Sequence, residues 1–268
     1  MRERIERIER IERIERCVQA LGVEYARERS FKLTPGELSR DRFLLGFHRR
    51  QLSGNVEQVA ARLRELVAPL SVPEPLLTRL CAHLPEADLV HLGFEQGPRG
   101  AVYKLYLEFL EKTPLFLAAK WDPDTGGGAI ARYSPQAGLS TDELADRVRS
   151  GYQIPAALSE VLVALVELAA RRAGAGAMLF LDVDEETSPR RSFDLNLYPA
   201  RLTVGGIAAT LVDLAEYFAV DGERVHDLLD SVRGEKLGHV SAGVGRDGQP
   251  FATIYFGARP TPPDRPRE

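Results

Sequence analysis

The chain has 268 residues, 44% of them apolar and 28% charged, with a formal net charge of −4, enough for a sizeable core and ordinary for a soluble globular protein. The acidic balance excludes a global attraction to nucleic acid or anionic membranes, so any anion must be captured by local charges. Cys17 and Cys81 have neither the number nor the spacing of a disulfide framework or zinc site, no apolar run approaches the length of a membrane span, and the charged N-terminal stretch is no secretory signal; the expectation is a cytoplasmic protein with reduced thiols.

Residues 5–16 repeat Ile-Glu-Arg four times. The repeat pairs Glu3 with Arg7, Glu6 with Arg10, Glu9 with Arg13 and Glu12 with Arg16 at i, i+4, which predicts an exposed helix. Isoleucines spaced by three drift around a helix instead of holding one seam. Residues 1–19 therefore read as a low-complexity helical extension, with a short coiled contact as the alternative. Period two follows at 23–33 and 42–48, joined through Thr34-Pro35-Gly36. Glu28, Ser30 and Lys32 share a face of the first strand, and Arg42 lies opposite Phe43, Leu45 and Phe47 in the second.

Helices are predicted at 55–70, capped by Asn55, and at 74–84, entered through Pro73. Two hairpins come next, 88–95 with 101–109 turning at 96–100, and 115–121 with 129–134 turning at 124–128. Helices at 141–150 and 156–173 precede strands 177–184 and 191–198. Helices at 207–218 and 222–233 precede strands 238–245 and 250–258, whose Arg246-Asp247-Gly248 suits a tight turn. The segment 260–268, rich in proline and charge, reads as a disordered tail, leaving 20–259 as a single domain.

Faces segregate along these strands. Lys104, Tyr106 and Glu108 point away from Tyr103, Leu105, Leu107 and Phe109. Likewise Asp194, Asn196 and Tyr198 alternate with Phe193, Leu195 and Leu197, and Thr253 and Tyr255 with Ile254 and Phe256. Helices between hairpins cover one sheet face. An open sheet would leave the polar set in water, whereas ten strands suffice to close into a barrel. The expected architecture is α+β: a ten-stranded antiparallel β-barrel with a polar lumen, surrounded by α-helices.

Arg42, Lys104, Lys120 and Arg132 carry charge suited to a diphosphate through charge-assisted hydrogen bonds, although the pattern does not set the phase of Lys120 and Arg132. Tyrosines among them would shield a carbocation, at about 0.5 to 2 kcal/mol per ring, and Glu28 is suited to take a proton from an attacking nucleophile. This set fits ionisation of an allylic diphosphate and alkylation of an electron-rich acceptor. Glu108 and Asp194, with Glu95, are acidic candidates for touching the acceptor and would suit a cationic one. Asp182, Asp184, Glu185 and Glu186 read as a solvated charge run. His83, His91 and His239 lie at no metal spacing, and Gly126-Gly127-Gly128 reads as a hairpin turn and not a phosphate loop.

The helix, helix, hairpin repeat with Lys104-Leu105-Tyr106 on one strand resembles the ABBA, or PT-barrel, aromatic prenyltransferases. Glu28-Arg29-Ser30-Phe31-Lys32 followed by Arg42-Phe43-Leu44-Leu45-Gly46-Phe47 is most similar to the cyanobactin-type peptide prenyltransferases, over roughly residues 20–260. The resemblance implies Glu28 as the base or orienting carboxylate, and Arg42 and Lys104 as ligands of dimethylallyl diphosphate. Mg2+ would be held through the diphosphate, with no metal ligand from the protein. Tyr106, Tyr133, Tyr198 and Tyr255 would shield the allylic cation, and a barrel open at one end would admit a ribosomally made peptide to a monomeric enzyme. Hairpin 177–198 departs from the pattern by offering Asp194 and Asn196 in place of a phosphate-binding cation. The second reading is therefore a catalytically silent barrel that binds a peptide or small ligand.

Overall fold

Alternation builds the strands and apolar stripes build the helices. A computed structural model describes residues 2–97, 100–186, 188 and 190–262; residues 98 and 99 of the expected turn and 263–268 of the expected tail lie outside these. From the N-terminus come α1 (Arg2–Gln19), β1 (Tyr25–Thr34), a short strand β2 (Glu37–Ser39), β3 (Arg42–His48), α2 (Val56–Val67) and α3 (Glu74–His83). Strands β4 (Leu89–Gly97), β5 (Gly100–Glu108), β6 (Phe116–Trp121) and β7 (Gly128–Gln136) lead to α4 (Thr141–Ser150) and α5 (Ala156–Ala173). Then follow β8 (Phe180–Glu185), β9 (Arg191–Asn196), α6 (Ala208–Tyr217), α7 (Gly222–Val232), β10 (Leu237–Val244) and β11 (Pro250–Thr261).

Hydrogen bonding orders the strands β11-β10-β9-β8-β7-β6-β5-β4-β3-β1-β2, with β11 also paired to β1. Ten strands thus close a ring of pairings, and β2 is an addition on β1. Three residues are too short to show alternation, so β2 escaped prediction; it forms because Gly36, at φ 74°, turns the chain back and pairs Thr34 with Glu37. Strand β9 ends at Asn196 because Tyr198 opens a 3-10 turn, Tyr198–Ala200, that contains Pro199. Strand β11 runs through residues 260 and 261, which were expected in the tail.

By contacts the chain divides into two compact units: Met1–Glu28, Asp41–Arg132 and Arg259–Glu268 form unit 1, and Arg29–Arg40 with Tyr133–Ala258 form unit 2. In unit 1, Phe43, Leu45, Phe47, Leu92, Phe94, Tyr103, Leu105, Leu117 and Trp121 pack against Val59, Leu63, Leu77 and Leu80 of α2 and α3. Each such side chain stabilises the fold by about 1.5 to 3 kcal/mol. Asn55 caps α2 in a capping box with Gln58. The Trp121 indole N–H donates to the Leu70 carbonyl at 3.1 Å, satisfying a buried donor.

Helix α1 shows how the Ile-Glu-Arg repeat is used. Ile14 and Val18 are fully buried in the unit 1 core, while Ile5 and Ile8 are exposed, which is the drift of a three-residue repeat around a 3.6-residue helix. Arg10 bonds Asp124 at 2.8 Å, Arg7 pairs with Asp41 at 2.6 Å, and Glu15 pairs with Arg27. The same burial pushes the Cys17 thiol up to about 11.

Unit 2 covers one face of β8, β9, β10 and β11 with α4 to α7. Phe180, Phe193, Leu195, Val240, Ile254 and Phe256 meet Leu162, Val166, Leu211 and Leu229, and the Phe180 and Phe193 rings stack at 5.3 Å. Asp182 shares this covered face and ties α4 to β8, accepting from Arg147 at 2.6 Å and from the Tyr152 hydroxyl. Among the described residues, no helix is long and apolar enough to cross a membrane.

Candidate active site

Register decides which polar side chains meet. In unit 1 Arg42 stands opposite Glu95, Lys104 between Gly93 and Lys120, Tyr106 between His91 and Ala118, and Glu108 opposite Phe116. Alternation puts all of these on the strand face turned away from the helices. Lys120, whose phase the sequence left open, therefore lies beside Lys104 and is 4% exposed, as is Arg42. Gly93 leaves the room for this: a Cβ there would stand 3.3 Å from the Lys104 Cβ and 3.1 Å from Leu44 Cδ1.

Glu95 joins the cations. One of its oxygens pairs with Arg42 and the other with the Lys104 ammonium at 2.8 Å. Buried charges require such partners, because desolvating an unpaired one costs several kcal/mol. Lys120, beside Lys104, brings a third cation to this face, and cations in such numbers suit a polyanion. Further along the face, Glu108 bonds His91 Nε2 at 2.7 Å. The Phe116 ring is flanked by His91 at 6.1 Å and by Tyr106, edge-on, at 6.4 Å.

The corresponding face of unit 2 carries a second cluster. His239 Nδ1 lies 2.7 Å from Asp194 Oδ1, and the Tyr198 and Tyr255 rings approach the imidazole edge-on at 5.5 and 6.1 Å. Tyr198 reaches it from the turn after β9, where its N–H donates to Asn196 Oδ1 at 2.9 Å. Elsewhere on unit 2, Glu185 is not part of a solvated charge run. Its side chain is fully buried and takes Arg246 and Arg190, while Lys32 and Arg190 lie 4.8 and 5.2 Å from the Phe251 ring centroid.

The other expected residues lie on β1 and β7. Glu28 is half-buried on β1, on one face with Ser30 and Lys32. Arg132 is exposed and shares its face of β7 with core residue Ile130, so alternation turns it away from Arg42, Lys104 and Lys120. Tyr133, one residue on, keeps the other face, half-buried beside Ala131. Glu108 and Asp194 are on the polar faces as predicted, but each is engaged by a histidine.

No family model and no curated protein matches this sequence. Solved structures do. A 5-dimethylallyl tryptophan synthase from Streptomyces coelicolor in complex with DMASPP and Trp is 15% identical, with a TM-score of 0.61 over 86% of this chain and 78% of that one. PriB in a binary complex with product diphosphate is 14% identical, at a TM-score of 0.58 over 86% and 79%. NotF prenyltransferase is 12% identical, at 0.53 over 88% and 81%. The fold is the PT barrel. This antiparallel barrel surrounded by helices is the architecture that alternation and helix placement predicted.

Within this PT barrel, no group of three or more His, Cys, Asp or Glu side chains could hold a metal ion among the described residues. On the unit 1 polar face, Glu95 pairs with Arg42 and Lys104, and Glu108 with His91. The polar faces thus carry a cation cluster around Glu95 in unit 1 and two histidine–carboxylate pairs. Sequence reasoning missed both pairs. The only signal was that His91 and Glu108, and Asp194 and His239, all alternate with core residues; their pairing depends on register.

Proposed function

We propose that the protein is a prenyltransferase moving a dimethylallyl-type group from an allylic diphosphate to a side chain of a ribosomally made peptide. The observation that carries this reading is the pairing of Lys104 with Lys120 beside Arg42, on a polar face of a fold whose solved relatives bind DMASPP or product diphosphate. Arg42, Lys104 and Lys120 take the diphosphate oxygens; Arg132 has no part in that contact. Tyr106, backed by Phe116, lies against the allylic group, where an aromatic face stabilises developing positive charge and excludes water. Glu28 contacts the acceptor. Mg2+ held through the diphosphate would supply charge neutralisation to the leaving group, and the protein's own contribution would be the cation set.

Calorimetric titration of the wild type with dimethylallyl diphosphate tests the donor half. Arg42→Ala and Lys104→Ala should each weaken binding about 10- to 100-fold with the fold retained, since a hydrogen bond to a charged group contributes about 1.5 to 3 kcal/mol. Absence of heat with the wild type would leave the catalytically silent ligand-binding barrel as the reading. Incubation with donor and a mixed peptide pool, followed by mass spectrometry, locates any added isoprene unit. Modification of free amino acids but of no peptide would overturn the peptide acceptor.

A further inference from the structure

Glu108 ends β5, Phe116 begins β6, and the two stand opposite each other in register. Lys104, Tyr106 and Glu108 therefore step along one face of β5, from the cation cluster to the strand end, and all of them belong to unit 1. Four residues of strand place Glu108 about 13 Å from Lys104, with the Tyr106 ring between them. That span has room for a diphosphate and a short allylic chain, and a side chain attacking the allylic group from beyond it meets Glu108 and Phe116.

Glu95 and Glu108 are engaged differently. Glu95 gives one oxygen to Arg42 and the other to Lys104. Glu108 gives Oε2 to His91 Nε2 at 2.7 Å, and among the described residues no hydrogen bond takes its Oε1. An ionised carboxylate only accepts, so Nε2 carries the proton, and a neutral imidazole leaves the negative charge on Glu108. His91 is itself fixed, because its Nδ1 lies over Gly46, where a Cβ would stand 2.4 Å away. The His91 and Glu108 side chains are 13% and 16% exposed, so the pair is largely desolvated and still reachable. A carboxylate beside an aromatic ring in such a site suits a guanidinium, whose N–H groups donate to the oxygen while the flat cation lies against the ring. A phenol or an indole would cover the carboxylate without neutralising it.

We propose that Glu108 selects the acceptor, an arginine side chain of the peptide, with His91 as its positioning residue. This rests on the prenyl-transfer reading. The guanidinium donates to Glu108 Oε1 and lies against Phe116, with one nitrogen turned toward the allylic carbon over Tyr106. The C–O bond of the allylic diphosphate breaks with both electrons leaving on diphosphate. That nitrogen forms the new C–N bond with the electron pair of its N–H bond, and the proton leaves to water, so the product keeps a single positive charge.

The test offers the full chain a set of acetyl-Gly-Gly-X-Gly-Gly amides in which X is arginine, citrulline, lysine, tyrosine or tryptophan. With dimethylallyl diphosphate the arginine peptide should be modified fastest, at a kcat/KM about 10- to 100-fold above the neutral peptides, as a hydrogen bond between charged groups provides. Glu108→Gln should lose that preference and bind dimethylallyl thiolodiphosphate within about threefold of wild type, because Lys104 is too distant to couple. His91→Ala should raise KM for the arginine peptide without changing thiolodiphosphate affinity, and His91→Gln, whose amide can still donate to Glu108, should restore it. Any other peptide modified as fast as the arginine one, or a preference unchanged in Glu108→Gln, overturns the proposal. Where no peptide gives product, calorimetry with the arginine peptide decides the site: heat abolished in Glu108→Gln supports it, and equal heat or none overturns it. Absence of thiolodiphosphate heat as well sinks prenyl transfer itself.

Discussion

Glu95 pairs with Arg42 and Lys104 on the polar face of unit 1, so its removal should have opposite effects on stability and on anion binding. Glu95→Gln leaves Arg42 and Lys104 buried with their shared carboxylate gone, and breaking a buried pair costs about 3 to 5 kcal/mol. The same change frees positive potential for an incoming anion. Urea denaturation should show the stability loss, and added inorganic diphosphate should restore more stability to this variant than to wild type; equal gains would mean that Glu95 does not compete with the ligand. Gly46 is a second single-residue constraint, because its missing side chain is where the His91 ring lies. Gly46→Ala should cost about 1 to 3 kcal/mol, as overpacking does, and shift the His91 ring resonances in NMR spectra.

At the scale of elements, α1 is held by its second half. Ile14 is fully buried and Ile5 half-exposed, so Ile14→Ala should cost about 2 to 5 kcal/mol, whereas Ile5→Ala should stay within about 0.5 kcal/mol. Equal effects in urea unfolding would contradict the docking of α1. Helix α2 depends on its start: Asn55 Oδ1 accepts from Gln58 N–H at 3.0 Å and the Gln58 side chain returns the bond. Loss of this cap in Asn55→Ala should lower stability by about 1 kcal/mol. Strand β7 turns on alternation alone, since Ile130 in the core commits Arg132 to the same face and Tyr133 to the other.

For the whole molecule, buried thiol and phenol protons tie stability to alkaline pH. Burial raises the Cys17 thiol from 9.0 to about 11, and burial is likewise the first cause raising Tyr103 and Tyr152. A raised folded-state value means that the native protein keeps a proton which the unfolded chain releases. That contribution to stability is complete below pH 9 and is lost as pH rises through 11. Urea midpoints should therefore fall over this interval, and Cys17→Ala should fall less steeply than wild type; parallel slopes would show that the thiol stays protonated in both states.

The sequence by itself determined the helices, the ten strands of the barrel other than their ends, and the polar face of β5. Period two and the helical stripe are local properties, readable from neighbours a few residues apart. They put Arg42, Lys104, Tyr106, Asp194 and Tyr255 on polar faces without knowledge of any partner strand. Pairing is not local. Only the tertiary structure set Lys120 against Lys104, engaged both cations of β3 and β5 with Glu95, turned Arg132 away, buried Glu185 between arginines and brought Asp194 to His239 from 45 residues away. A one-residue slip in register would exchange the faces and dissolve each of these contacts while leaving every local pattern unchanged.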